Sequence, residues 1–369
     1  MSHTPQNRLG LAVHGLLALC RAGFEKEVAA ELDELATGLG LMGFVRAQPG
    51  KAFVTFEAYE PVAFADLAER CDWRSLTFAR QLLPWFARID NLPERDRATP
   101  IVATARAAEQ RFAELVLETP DTDDAKQQSG FCRRFALPLQ LELDKAGVFR
   151  ERAKGLPELH ILFPDATTAW LCAALPGRAA LWPMGIPRLR MLREAASRST
   201  LKLAEAIFTL LTEDERNASL RAGLRAVDLG AAPGGWTWQL AHRGLRVTAI
   251  DNGPMAPSVM ATEMVEHIRA DGFTWRPQRP VEWMVCDMVE QPTRIAALVA
   301  DWIATGRCRR TIFNLKLPMK KRLEAVEQCR AIITKRLAQE GPFELRFKHL
   351  YHDREEITGY LALRNPRGG

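Results

Sequence analysis

From about residue 190 onward, short apolar runs alternate with amphipathic stretches, and this alternation is the strongest restriction on how the chain can fold. Strands are expected at 225–229, 246–251, 281–286 and 311–315. Helices are expected at 199–211, 235–243, 258–270, 293–305 and 320–339. Strand–helix–strand repeats bring successive strands into one sheet in the same direction, so the pattern implies an α/β fold with a parallel sheet covered on both faces. Two further strands, 343–350 and 357–363, follow with no helix between them. They read as an antiparallel hairpin, with one antiparallel strand at the sheet edge.

The first half is organised differently. A strand at 15–21 precedes a helix at 24–39, in which Val28, Leu32 and Leu35 fall at helical spacing. Strands at 43–47 and 52–57 flank the turn Gln48-Pro49-Gly50-Lys51. A second helix is expected at 61–71, with Pro61 in its first turn. This order is that of a ferredoxin-like α+β unit. Beyond it, the residues suggest a helix at 105–118, a polar loop at 119–130, and strands at 135–143, 159–163 and 168–175. The run LWPMGIPRLR carries several helix breakers and marks a boundary near residue 187. Three domains are therefore expected, at 1–75, 76–187 and 188–369.

Composition excludes several classes. Hydrophobic residues make up 47% and charged residues 26% of 369, an ordinary globular balance. The apolar run at 16–20 is too short to span a bilayer and lacks the flanks of a signal peptide. A cytoplasmic location is expected. The seven cysteines form no C-x-x-C pair, which argues against a metal site and for reduced, buried thiols. The net charge of +5 is compatible with a nucleic-acid partner.

The chemistry concentrates in AVDLGAAPGGWTWQL, residues 226–240. A buried strand ends at Asp228-Leu229-Gly230 and a helix opens near Gly235, the arrangement that lets a ligand approach the backbone closely. Asp251 ends the next strand, where doubly wound folds place a carboxylate against ribose hydroxyls. Asp271 follows the next expected helix and Asp287 the strand VEWMVC, so four acids line one sheet edge. A dinucleotide site is the competing reading. The glycine spacing departs from G-x-G-x-x-G, Pro233 lies inside it, and Asp228 suits a cationic or amino-acid ligand better than a pyrophosphate.

D-L-G-A-A-P-G-G-W resembles the first motif of the FtsJ-like ribose 2′-O-methyltransferases. With the upstream S-R-S-T-L-K-L, the whole chain resembles the large-subunit ribosomal RNA ribose methyltransferases, most specifically over residues 187–363. The resemblance implies a Rossmann-like class I methyltransferase sheet, S-adenosyl-L-methionine as cofactor, and N-terminal ferredoxin-like and THUMP-type RNA-binding domains. It implies a monomer that methylates a ribose 2′-hydroxyl, that of a cytidine, in 23S ribosomal RNA. By the same resemblance Ser199, Ala232, Pro233, Gly234 and Gly235 hold the amino-acid end of the cofactor, Asp251 its ribose and Asp271 its adenine. Asp287 lies by the methionyl part and the reaction centre.

Methylating a hydroxyl requires that the hydroxyl proton leave, which calls for a positioned base or cation. Lys316 ends the strand TIFNLK at the edge that carries Asp287, Lys202 lies on the preceding helix, and Glu355 and Glu356 precede the last strand. The related enzymes use a Lys-Asp-Lys-Glu set, which Lys202, Asp287, Lys316 and Glu356 match in order, with Glu355 the alternative at the last position. Lys316 is the expected proton acceptor, with two nearby lysines expected to depress one pKa. The sequence lacks the Pro-Pro-aromatic motif of amino methylation after the fourth strand, and Cys286 reads as a buried thiol rather than a nucleophile. Two basic stretches are expected to flank the site and meet RNA phosphates. One holds Arg188, Arg190, Arg193, Arg198 and Lys202; the other holds Arg307, Arg309, Arg310, Lys316, Lys320, Lys321 and Arg322. Trp170, Trp182, Trp236 and Trp238 are either stacking surfaces or core. A methyltransferase for another RNA or a non-RNA acceptor, and a non-catalytic RNA-binding protein, are the alternatives.

Overall fold

The computed structural model describes residues 10–149 and 155–364. The chain forms two compact units, 1–186 and 187–369. No helix among the described residues is long and apolar enough to cross a membrane.

The first unit contains β1 (Ala12–Leu19), α1 (Glu25–Leu39), β2 (Gly43–Ala47), β3 (Phe53–Ala63), α2 (Phe64–Leu67) and β4 (Gln81–Ile89). It continues with α3 (Ala98–Ala107), β5 (Leu115–Glu118), α4 (Lys126–Lys145), β6 (Glu158–Leu162) and β7 (Ala169–Ala174). The first four strands take the order β2-β3-β1-β4, every neighbour antiparallel, which is the ferredoxin-like arrangement. The same sheet continues through β7, β6 and β5, so strands on both sides of residue 75 share one hydrogen-bonded layer.

Three expectations for this unit are corrected. The helix expected at 61–71 is a single turn, because β3 runs on to Ala63 and pairs with Ala12 and Val13 of β1. The helix expected at 105–118 ends at Ala107, and 115–118 forms β5 beside β6. The strand expected at 135–143 lies inside α4, which also takes in the end of the loop expected at 119–130. Its Leu137, Leu139, Leu141 and Leu143 alternate as a strand would, yet Leu139 and Leu143 are buried one helical turn apart while Leu137 and Leu141 face solvent.

The second unit opens with α5 (Thr200–Leu210), α6 (Glu213–Ser219), β8 (Arg225–Leu229), α7 (Gly235–Ala241), β9 (Arg246–Ile250), α8 (Pro257–Met260) and β10 (Val265–Ile268). It ends with β11 (Val281–Cys286), α9 (Pro292–Ala304), β12 (Cys308–Lys316), α10 (Arg322–Leu337), β13 (Phe343–Lys348) and β14 (Glu356–Leu363). The sheet order is β10-β9-β8-β11-β12-β14-β13, parallel from β10 to β12. β14 pairs antiparallel with both β12 and β13, so the antiparallel strand is one place in from the edge expected for it. The helix expected at 258–270 is also corrected: one turn of α8 gives way to β10, so Asp271 follows a strand. α5 and α7 cover one face through Leu203, Ile207, Trp236 and Leu240, packed against Trp283 and Tyr360. The order reverses between β8 and β11, where open α/β sheets bind ligands beyond the carboxyl ends of their strands.

Candidate active site

At that switch point β8 runs into Gly230, whose φ of 75° and lack of a side chain are both required: a Cβ there would stand 2.5 Å from Met288 Cγ. Gly235 opens α7 against the start of α5, where a Cβ would meet Ser199 Oγ at 2.2 Å. Asp251 follows β9 and braces two loops, accepting from Ala232 N at 2.9 Å and Gly253 N at 2.7 Å. Asp271 Oδ1 accepts from Phe273 N at 2.9 Å.

A cavity of about 410 Å³ opens among Gly230, Ala232, Asp251, Asp271, Asp287 and Met288. That volume suits a nucleoside-sized ligand. The carboxylates of Asp251, Asp271, Asp287 and Glu290, with a side-chain-free Gly230, suit one bearing hydroxyls, an amine and a positive charge. The residues present therefore fit S-adenosylmethionine. Ser199, Pro233, Gly234 and Gly235 are outside the lining. A larger cavity of about 780 Å³ borders β8, β9 and β10 and includes Arg225 and Arg246, which begin their strands. It contains none of the expected site residues, so the smaller one is the candidate.

Asp228, expected to face the ligand, is corrected. It is buried, its Oδ2 accepts from Thr237 Oγ1 at 2.6 Å, and it ties β8 to α7. Burial pushes its carboxyl up to about 7, against the Thr237 hydrogen bond and with help from the Asp287 and Asp251 charges.

Beside the cavity stand the four expected catalytic side chains. Lys316 of β12 and Glu356 of β14 are register partners, which places their side chains on one face. Lys316 Nζ donates to Asp287 Oδ1 at 2.9 Å and to Glu356 Oε2. Lys202, one turn into α5, donates to Glu356 Oε1 and lies 3.8 Å from Asp287 Oδ2. Two ammonium groups and two carboxylates thus alternate. Glu355 points elsewhere and pairs with Arg322 at 2.7 Å.

Alternation overturns the expected effect of one lysine on the other. Burial works to lower the Lys316 pKa, but Asp287 and Glu356 outweigh it and hold the ammonium above its ordinary value. The second basic stretch is also corrected. Arg309 and Arg310 lie near the start of β12, some 20–24 Å along the strand from Lys316. Arg307 and Arg310 pair with Asp301 and Glu282. Lys316 ends β12, and Lys320, Lys321 and Arg322 follow the carboxyl end of that strand. Arg188, Arg190, Arg193 and Arg198 are exposed. Trp170, Trp236 and Trp238 belong to the core, and burial pushes the Cys286 thiol up to about 12.

Sequence reasoning passed over Asn314, which holds Asp287, and Glu205, which ties residues 351–352 to α5. Asn314 Nδ2 donates to Asp287 Oδ1 at 2.8 Å. Glu205, one turn after Lys202, accepts from Tyr351 N at 2.8 Å, His352 N at 3.0 Å and His352 Nδ1 at 2.6 Å. Asn314 could have been found from its place two residues before Lys316 on one strand face. Glu205 carried no such signal, because its partners come from a loop 146 residues away.

Residues 13–83 match the RlmM ferredoxin-like domain, residues 96–175 the N-terminal region of ribosomal RNA large subunit methyltransferase M, and residues 195–341 the FtsJ-like methyltransferase family. The chain is 87% identical over 364 residues to ribosomal RNA large subunit methyltransferase M of Aromatoleum aromaticum, covering 99% of each. It is 68% identical to the protein of that name from an Azoarcus species, covering 98% of this chain and 99% of the relative. With the Methylococcus capsulatus protein of that name it shares 49%, covering 94% and 98%. With such identity sustained along its length, the chain belongs to the ribosomal RNA large subunit methyltransferase M family.

Proposed function

We propose that this protein transfers the methyl group of S-adenosyl-L-methionine to a ribose 2′-hydroxyl of 23S ribosomal RNA, that of a cytidine. The observation that carries the reading is the Lys202–Glu356–Lys316–Asp287 set beside a carboxylate-lined cavity at the sheet's switch point. The cofactor, when bound, supplies an electrophilic methyl group on a positively charged sulfur.

The chain's own residues do the rest. Asp251 accepts from the cofactor's ribose hydroxyls, since each of its oxygens has a lone pair beyond the backbone bond already made. Asp271 lies at the adenine end, while Ser199, Ala232, Pro233, Gly234 and Gly235 serve the amino-acid end. Asp287 lies by the methionyl part and, with Glu356, fixes the direction of Lys316 Nζ. Lys316 Nζ accepts the 2′-hydroxyl proton once it has lost its own, and Lys202 pairs with Glu356 and holds it in place. Exposed Arg188, Arg190, Arg193 and Arg198 engage RNA phosphates, which position the strand without reading it. The chain works as a monomer in the cytoplasm. Residues 76–187 form a THUMP-type domain that, with the ferredoxin-like domain at 1–75, selects the nucleotide for the catalytic domain at 188–369.

The test is to incubate the protein with unmodified 23S ribosomal RNA and methyl-labelled cofactor, digest the RNA and identify the labelled nucleoside. One 2′-O-methylcytidine is expected. Label on a base, or none in RNA, would overturn the reading.

A further inference from the structure

Asp287 does not hold its position through lysines alone. Behind it runs a second, fully buried set of polar groups. Asn314 and Thr358 are register partners on β12 and β14, one rung along from Lys316 and Glu356 on the same face. Asn314, Thr358 and Asp353 are each sealed from solvent. Asn314 Nδ2 donates to Asp287 Oδ1 at 2.8 Å, and Asn314 Oδ1 lies 2.7 Å from Thr358 Oγ1. Thr358 Oγ1 lies 3.0 and 3.3 Å from the two oxygens of Asp353. Asp353 Oδ2 accepts from Leu350 N at 3.0 Å.

Counting protons fixes the direction of this chain. Because its amide nitrogen faces a carboxylate, Asn314 turns its carbonyl oxygen to Thr358, and the single hydroxyl proton of Thr358 is used there. The contact between Thr358 and Asp353 then needs a proton from Asp353. Burial raises the Asp353 carboxyl well above its ordinary range, and the Glu356 charge adds to this. Each group therefore donates towards Asp287: carboxylic acid to hydroxyl, hydroxyl to amide, amide to carboxylate. Hydrogen bonds aligned in one sense reinforce each other in a site of low polarity.

We infer that Asn314, Thr358 and Asp353 form a buried positioning rail that fixes the Asp287 carboxylate for methyl transfer, with Asp353 as its terminal proton donor. The rail holds Oδ1 between the Asn314 amide and the Lys316 ammonium, and so sets Oδ2 towards Lys202. The inference rests on Asp287 and Lys316 being at the reaction centre. A small displacement of a group at a reacting centre can cost up to about a hundredfold in rate.

Three variants of the full-length protein test it. Thr358→Val keeps the shape and removes the hydroxyl. Thr358→Ser restores the hydroxyl. Asp353→Asn supplies an N–H donor to Thr358 and keeps an acceptor for Leu350 N. Single-turnover transfer to 23S ribosomal RNA is expected to fall about tenfold in Thr358→Val, as for loss of one buried hydrogen bond. RNA KM and cofactor affinity stay near the parent values. Thr358→Ser and Asp353→Asn recover most of the rate. Infrared difference spectra between the parent and Asp353→Asn show the carbonyl band of a protonated carboxyl, a signal independent of turnover and of any misfolding in the valine variant. A full rate in Thr358→Val, or a loss that tracks cofactor affinity or melting temperature, would sink the rail alone. Absence of the carboxyl band would sink the donor assignment. A parent protein that transfers no methyl group would sink the reading of the site, and the rail's catalytic role with it.

Discussion

Lys316 Nζ sits between two carboxylates, and that placement decides how the proton transfer proposed for it depends on pH. An ammonium whose pKa lies above its ordinary value is protonated at neutrality, so only a small neutral fraction can accept the hydroxyl proton. Below that pKa the neutral fraction grows about tenfold per pH unit. The single-turnover rate is therefore expected to climb steadily from about pH 7 to pH 9 without levelling. A flat profile would show that the proton goes elsewhere. Lys316→Ala is expected to abolish turnover while calorimetry finds cofactor affinity nearly intact; a near-parent rate would remove its assigned role. Asp251→Ala is expected to weaken cofactor binding, since each charge-assisted bond it makes is worth ~1.5–3 kcal/mol. It also loosens Ala232 and Gly253, which its oxygens hold. Unchanged affinity by calorimetry would exclude it from the cofactor site. The places of Asp251 and Lys316 in the fold were legible in the sequence because each ends a readable strand. The protonation state of Lys316 was not, since it depends on Glu356, which arrives from β14.

Among the elements, those whose apolar pattern admits one period were readable and those admitting two were not. In α9, Ile295, Leu298, Val299 and Trp302 recur only at helical spacing, and the helix is found where expected. In α4 the alternating leucines satisfy a strand, and only packing decides that Leu139 and Leu143 go inward. β10 is four residues long at a sheet edge, too short to show a period. Long-range polar ties are equally invisible in sequence. In the first unit, His160 on β6 is fully buried, with Nδ1 3.0 Å from Glu118 and Nε2 3.2 Å from Glu158. Glu118 also accepts from Met184 N at 2.6 Å and Gln81 Nε2 at 3.1 Å, which pins the turn at 183–185. Burial works to lower the His160 pKa, but the two carboxylates outweigh it and raise it to about 9. A histidine raised in this way stabilises the fold fully below its unfolded pKa of about 6.5. That contribution is lost as pH rises through about 9. Thermal unfolding of the parent against His160→Gln is expected to show a margin that is largest in mild acid and shrinks towards alkaline pH. A margin independent of pH would mean that His160 is neutral in the fold.

At the scale of the whole molecule, the four proposed catalytic side chains and the candidate cavity all lie in residues 187–369, and the unit has its own sheet and core. A fragment beginning near residue 188 is expected to bind the cofactor yet methylate RNA poorly, because the first unit is assigned the selection of the nucleotide. Full activity of the fragment on 23S ribosomal RNA would refute that division. The boundary was legible from its run of helix breakers, since proline and glycine act locally. The continuous sheet of the first unit was not, because β4 pairs with strands from both sides of the chain. The central claim is that the acceptor is a sugar oxygen, activated by a lysine held between carboxylates. It is tested most directly with an RNA carrying a single 2′-deoxy substitution at the nucleotide the enzyme modifies. One hydroxyl is a small part of the interface, so binding should change little, while methyl transfer to that RNA should disappear. Methyl transfer to the deoxy nucleotide, at its base, would contradict the account and remove the role given to Lys316.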